Sequence, residues 1–206
     1  MTPMHAAHAA PVEAILPRGA ARWLVAAGLV VLGTLVLAVA AKVKVPFYPV
    51  PMTLQTFAVM AIAALYGGRL AVVTLVAYLA EGFAGFPVFT NTPPALAGPA
   101  YFLGPTGGFL IGFVVAAAIV GYAADRGWTH SIVKLFAAML AGEVALMALG
   151  FVWLAWFAAL SSGSTGLGME TAFAAGVAPF LLGDLLKIVL AALLVPAVWA
   201  LGRKAG

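Results

Sequence analysis

Cysteine is absent from the 206 residues, which excludes disulfides and thiolate metal sites and leaves the redox compartment unreadable. Charge is almost as scarce. Asp, Glu, Lys and Arg make up 8% of the chain against 65% hydrophobic residues, where a soluble domain carries about 25% charged and about half apolar residues. No Lys follows a Gly anywhere, so there is no Walker A loop and the chain cannot itself use ATP by that route. His5, His8 and His130 fall outside the apolar runs, which removes the usual ligands of an intramembrane haem or metal. No serine precedes Ser131, and Asp184 is the only Asp inside an apolar run, which disfavours intramembrane serine and paired-aspartate proteases. Neither a catalytic residue nor a metal site is expected. No internal repeat is detectable, so the inverted-repeat architecture of many secondary transporters has no support.

What is present is apolar sequence in long blocks. Residues 23–41, 45–68, 82–124, 144–169 and 188–202 carry no charge, and a helix crossing ~30 Å of hydrocarbon needs roughly 20 residues. The expected fold is therefore an all-α integral membrane protein of about six transmembrane helices in a compact bundle, with spans near 22–41, 53–67, 69–86, 104–124, 132–160 and 174–202. The second is short, bounded by Pro46, Pro49 and Pro51 before it and Gly67-Gly68 after it. Residues 1–17 read as a disordered N-terminal tail, being Ala- and Pro-rich without the basic start of a signal peptide. Residues 18–206 form one membrane domain.

The net charge of +4 comes from ten Lys and Arg spread one or two at a time, with no basic stripe of the kind nucleic acid requires. They act instead as topology signals, because short cytoplasmic loops collect Lys and Arg. With the N-terminus inside, the inner side holds Arg18, Arg22, Arg69, Arg126, Lys134, Arg203 and Lys204, and the outer side only Lys42 and Lys44. Both termini are therefore expected in the cytoplasm. The longest outer segment, Gly82 to Pro105, holds five prolines and four glycines in 24 residues. Such backbone cannot stay helical and must be buried in protein or line a cavity, so it is expected to form a lid or pocket wall.

Scarcity makes each polar residue informative. Asp184 and Lys187 are three apart on one helix face, and a helix starting near Gly176 puts Asp184 about 12 Å along its axis. Ionised groups at depth cost at least ~2.5 kcal/mol each and face a cavity or a partner. They either neutralise each other or bind a polar ligand, such as a small acid whose other end donates hydrogen bonds. Glu143, mid-span, reads first as a structural carboxylate and otherwise as a counter-ion for Lys187 or a ligand contact, and Glu81 as interfacial. Gln55 is the only Gln and Asn91 the only Asn. Both fall on the outer side with Asp184, where an amide suits a ureido, amide or nucleobase-like group or else caps local structure. Gly107, Gly108 and Gly112, and Ala137, Ala141 and Ala145, offer small faces for helix packing. The first span has only Thr34 and Ala38 at that spacing as a docking face for a membrane partner.

The segments VPFYPVPMTLQTFAVMAIAALYGGRLA (45–71), GFAGFPVF (82–89), GPAYFLGPTGGFLIGF (98–113) and GDLLKIVLAALLVPAVW (183–199) resemble the BioY family, the biotin-specific substrate-capture subunits of energy-coupling factor transporters. The resemblance covers roughly residues 20–202 in order, and VPMTLQTF and GPTGG are its specific strings. It implies a six-helix protein with a biotin pocket near the outer face, covered by the loop after the first helix, in a prokaryotic cytoplasmic membrane. It also implies a transmembrane coupling protein and a pair of ATPases as partners, so that ATP is used by those subunits and this chain needs no cofactor. The family's ligand-contacting pair in the last helix corresponds to Asp184 and Lys187, and its outer-loop amide to Asn91. On this reading Lys187 meets the valerate carboxylate, Asp184 accepts from the ureido N–H groups, and Asn91 or Gln55, beside Thr53, completes the polar contacts. Phe47, Tyr48, Phe89 and Tyr101 pack the rings. The rival readings are capture of a different vitamin and a structural membrane anchor.

Overall fold

The computed structural model describes residues 10–14, 16–17, 19, 21–92 and 97–202. Seven α-helices follow one another there: α1 (Ala21–Lys42), α2 (Gln55–Phe83), α3 (Pro99–Leu103), α4 (Gly107–Asp125), α5 (Ile132–Trp156), α6 (Met169–Gly176) and α7 (Leu181–Gly202). The Pro-rich link after α1 holds a two-stranded ladder: β1 (Lys44–Val45) pairs antiparallel with β2 (Met52–Thr53), Lys44 opposite Thr53. Proline lacks the N–H a helix needs and pushes its predecessor to extended backbone, so this link closes as a small hairpin.

Helices α1, α2, α4 and α5 are each long and apolar enough to cross a bilayer, and α6 with α7, bent by 47° at a short break, qualifies as a fifth, broken span. The outward surface agrees with that reading. Val31, Leu32, Leu35, Val36 and Val39 of α1 and Leu182, Leu186, Leu190 and Leu194 of α7 are exposed. In water an apolar face of this size would drive association; in a bilayer it is the surface that meets lipid. The chain is a multi-pass membrane protein.

The spans expected at 53–67 and 69–86 are one helical stretch containing a reversal. Gln55 and Tyr78 lie 23 residues apart, which in a straight helix is about 34 Å at ~1.5 Å per residue. Yet Gln55 Nε2 donates to Tyr78 Oη at 2.9 Å, so the chain folds back between them. The break is at Gly67, whose φ of 76° and ψ of 173° are open only to glycine. Asp125, at the end of α4, secures the turn by accepting the Gly68 N–H at 3.0 Å.

The core is built around α4, packed between α2 and α5. Helix α5 buries Leu135, Ala138, Met139, Gly142, Leu146, Gly150 and Leu154, the three- and four-residue spacing of one helix face. Ala137 and Ala141 lie on its exposed side, so that alanine stripe is not the packing face. In α4, Gly108 and Gly112 do pack, against Trp153 and Leu146 of α5. On α1, Thr34 is buried and bonds Val31 O at 3.1 Å; it faces the bundle, not a partner. Of the expected N-terminal tail, residues 1–9 and 15 lie outside the described residues. Pro11–Ala14 form a 3₁₀ turn, and Ala10 and Val12 are buried against α2, Ala10 beside the Gly67 reversal, a contact that a free tail does not make.

Candidate functional site

At the Lys42 end of the bundle, β2, the start of α2, the segment after α2, α4, α5 and the start of α7 enclose a cavity of about 40 Å³. Its polar end is an ion pair. Lys187 Nζ donates to Asp184 Oδ1 at 2.8 Å and to the carbonyl of Thr53 at 2.6 Å, and Asp184 is 2% exposed. Asp184 does not stand deep along a helix that starts near Gly176. The chain breaks between α6 and α7, so Asp184 sits in the first turn of α7, where a helix N-terminus favours an anion. Its burial comes from what packs over it.

Thr53 and Gln55 support each other: the Gln55 N–H donates to Thr53 Oγ1 at 3.2 Å, and Thr53 Oγ1 to Gln55 Oε1 at 3.3 Å. Gln55 then passes its side-chain N–H to Tyr78, which donates to Val88 O at 2.9 Å. The aromatic wall comes from Phe89, stacked on Tyr101 with ring centroids 4.7 Å apart and edge-on to Tyr78 and Phe102. Tyr101 donates to Thr90 O at 2.8 Å. Burial pushes its phenol pKa up, so this donor keeps its proton.

The structure thus brings Thr53, Gln55, Phe89, Tyr101, Asp184 and Lys187 around one cavity. Asn91 and Tyr48 are not on its wall. Asn91 is exposed, at φ 62°, and accepts from Lys44; Tyr48 is 83% exposed. Phe47 sits edge-on to Phe180 at 6.2 Å, behind the lining. In both exposed cases sequence order placed the residue on the right loop, but backbone turns point the side chain away.

Three contributors escaped the sequence reading. Thr90 lines the cavity with its buried Oγ1 unpartnered, and Asp184 Oδ2 is likewise buried without a donor. A buried carboxylate oxygen and a buried hydroxyl in the lining of one cavity suit a ligand that brings N–H groups. Phe109 and Phe113 of α4 supply apolar floor; they looked like core in the sequence. Glu143, which the sequence offers as a counter-ion for Lys187, is 7% exposed and shares an α5–α7 cleft with Asp184, so its near neighbour there is the carboxylate of that pair. Asn91 and Thr90 differ by one residue, so counting rare polar groups on the outer segment was the nearest available signal.

A larger cavity of about 630 Å³ lies at the opposite end, between α1 and α2, with Trp23, Val30 and Leu70 on its walls and Arg22 and Arg69 among its lining. Both arginines are exposed, and among the described residues that cavity has no buried, unpartnered polar atom. The candidate site is therefore the one at the Lys42 end.

The Gln55–Tyr78–Val88 relay bears on stability. Tyr78→Phe removes the acceptor of Gln55 and the donor to Val88 while keeping the ring, and an unsatisfied buried group costs about 1–3 kcal/mol. A lower unfolding temperature in detergent is expected, measured by the rise in intrinsic fluorescence or light scattering; an unchanged midpoint would show that water replaces the phenol.

Fold and cavity define a multi-pass helical membrane protein with a small pocket, largely apolar, whose polar end is one buried ion pair. The chain belongs to the BioY family: the family model matches residues 15–204. It is 35% identical to the biotin transporter BioY of Rhizobium etli over 182 residues, covering 85% of this chain and 89% of that protein. It is 32% identical to the biotin transporter BioY of Thermotoga maritima over 173 residues, 84% of this chain and 93% of that one. Its fold matches the crystal structure of the S-component for biotin from an ECF-type ABC transporter, with a TM-score of 0.74 and 22% identity over 92% of this chain and 96% of the other.

Proposed function

We propose that this protein binds biotin with high affinity and takes it up as the substrate-capture subunit of an energy-coupling factor transporter. The observation that carries the reading is the polar end of the cavity, where Lys187 presents a cation and Asp184 Oδ2 and Thr90 Oγ1 are buried without partners. Biotin has a carboxylate at one end and ureido N–H groups at the other, and the stacked Phe89–Tyr101 wall suits the apolar ring and chain between them. Because Lys187 Nζ and Asp184 Oδ1 are 2.8 Å apart, the two meet the same end of the ligand rather than the carboxylate and the ureido group separately, with Thr53 and Gln55 nearby. Asn91 and Tyr48 act from outside the wall. Since a water needs ~10–15 Å³ of such space, the cavity of about 40 Å³ holds about three waters, and biotin enters only when the loop walls part.

Membrane placement follows the same reading. The reversal at Gly67 makes Gln55–Phe83 two short passages and brings the total to six, and the seven-to-two division of Lys and Arg puts both termini in the cytoplasm of a prokaryotic cell. The pocket then opens outward. The absence of a Gly-Lys step fits a division of labour in which a transmembrane coupling protein and an ATPase pair supply the energy, ATP being their substrate and this chain carrying no cofactor.

Isothermal titration of the detergent-solubilised protein with biotin, with thiamine and riboflavin as controls, tests the reading. Biotin binding alone is the expected result. Preference for another vitamin would move the assignment to that ligand, and no binding by folded protein would leave a membrane anchor.

A further inference from the structure

The wall that carries Phe89 and Thr90 has almost no regular structure of its own. Between Phe86 and Thr92 its internal backbone bonds are Val88 N–H to Phe86 O at 2.8 Å and Thr92 N–H to Phe89 O at 3.4 Å. Its carbonyls are nonetheless claimed almost one by one. Val88 O accepts from Tyr78 and Thr90 O from Tyr101. Three others, those of Pro87, Phe89 and Thr92, all turn to the Lys42 ammonium, at 2.8, 2.7 and 2.5 Å.

An ammonium has three N–H donors, and here each has one carbonyl. Three carbonyl oxygens converging on one point repel one another unless a cation stands between them, so this backbone shape depends on the charge at its centre. The cation is covalently tethered. Lys42 is the last residue of α1, and two residues on, Lys44 of β1 takes the Asn91 side-chain oxygen. Asn91 itself holds φ at 62°, a left-handed conformation that asparagine adopts more readily than most non-glycine residues. The sequence treats Lys42 only as one of two positive charges on the outer side; the geometry gives it a second duty.

We infer that Lys42 is the positioning residue of the ligand pocket, a tethered cation that gathers the carbonyls of Pro87, Phe89 and Thr92 and thereby holds Phe89 and Thr90 against the ligand. It does not touch the cavity itself. Because it ends α1, the position of that helix is passed directly to the pocket wall. The inference rests on the biotin reading for its ligand arm but not for its structural arm.

Two measurements on Lys42→Met and Lys42→Arg test it: hydrogen exchange of the 86–92 peptide by mass spectrometry in ligand-free protein, and biotin association and dissociation rates. In Lys42→Met, which keeps the length and loses the charge, exchange in 86–92 is expected to rise about tenfold while peptides of α5 are unchanged, showing that the fold is intact. Biotin dissociation should quicken by about tenfold with association altered far less, since changes within one interface fall mostly on dissociation. Lys42→Arg, which restores a cation, should recover part of both. If methionine keeps wild-type exchange and dissociation, or serves better than arginine, Lys42 acts by packing and the inference fails. Should the wild type bind no biotin, the ligand reading fails, and exchange in 86–92 still decides whether Lys42 holds the wall.

Discussion

Lys187→Ala is expected to weaken biotin binding about 10- to 100-fold. The ammonium donates to Asp184 and to Thr53 O, and a hydrogen bond to a charged group contributes about 1.5–3 kcal/mol, each 1.4 kcal/mol being tenfold in affinity. The variant also loses stability, because Asp184, 2% exposed, is left without its cation, and breaking a buried pair at one partner costs about 3–5 kcal/mol. These two effects separate in the double variant Asp184→Asn, Lys187→Met. Removing both charges restores the unfolding midpoint but not the affinity, if the pair serves the ligand. Titration calorimetry and thermal unfolding on the same preparations read both. Should Lys187→Ala and Asp184→Ala each bind biotin within a few-fold of wild type, the two residues only neutralise each other, and the pocket chemistry proposed for them is wrong.

The largest structural effect is expected at Gly121. A Cβ there would lie 2.6 Å from the Gly68 Cα, 2.7 Å from its nitrogen and 2.8 Å from the Gly67 carbonyl carbon. All three are backbone atoms at the α2 reversal, so no side chain can swing aside, and α4 must move off α2. Overpacking of this kind costs about 1–3 kcal/mol or more. For a chain of about this size, 1 kcal/mol shifts the midpoint by roughly 2–4 °C, so Gly121→Ala should unfold on the order of 5–10 °C lower. Gly28→Ala in α1 is the matched control. Nothing lies within 4 Å of its added methyl, and alanine is the better helix former by about 0.5–1 kcal/mol, so its midpoint should hold or rise. Equal behaviour of the two variants would mean that α2 and α4 do not meet so closely in the membrane.

The long apolar blocks, the near absence of charge and the punctuation by proline and glycine were enough to state a helical membrane protein and to place α1, α4 and α5 within a few residues, because a bilayer demands apolar length and internally satisfied backbone, and both can be read from the chain. The scarcity of polar residues also singled out Asp184 and Lys187, since an ionised pair in an apolar run needs a reason. Orientation of side chains was beyond that reading. Asn91 and Tyr48 sit on the expected loops but outside the cavity wall, and Thr90, Phe109 and Phe113 are on it. Glu143 stands beside Asp184 only because α5 packs on α7. Gly67-Gly68 marks in the sequence where one passage stops and the next begins, but the break before α7 and the wrapping of Pro87–Thr92 around Lys42 follow from contacts between residues far apart in sequence. Membrane insertion is a property of composition, which one chain carries by itself; the pocket is a property of which loop end meets which helix end, and only packing settles that.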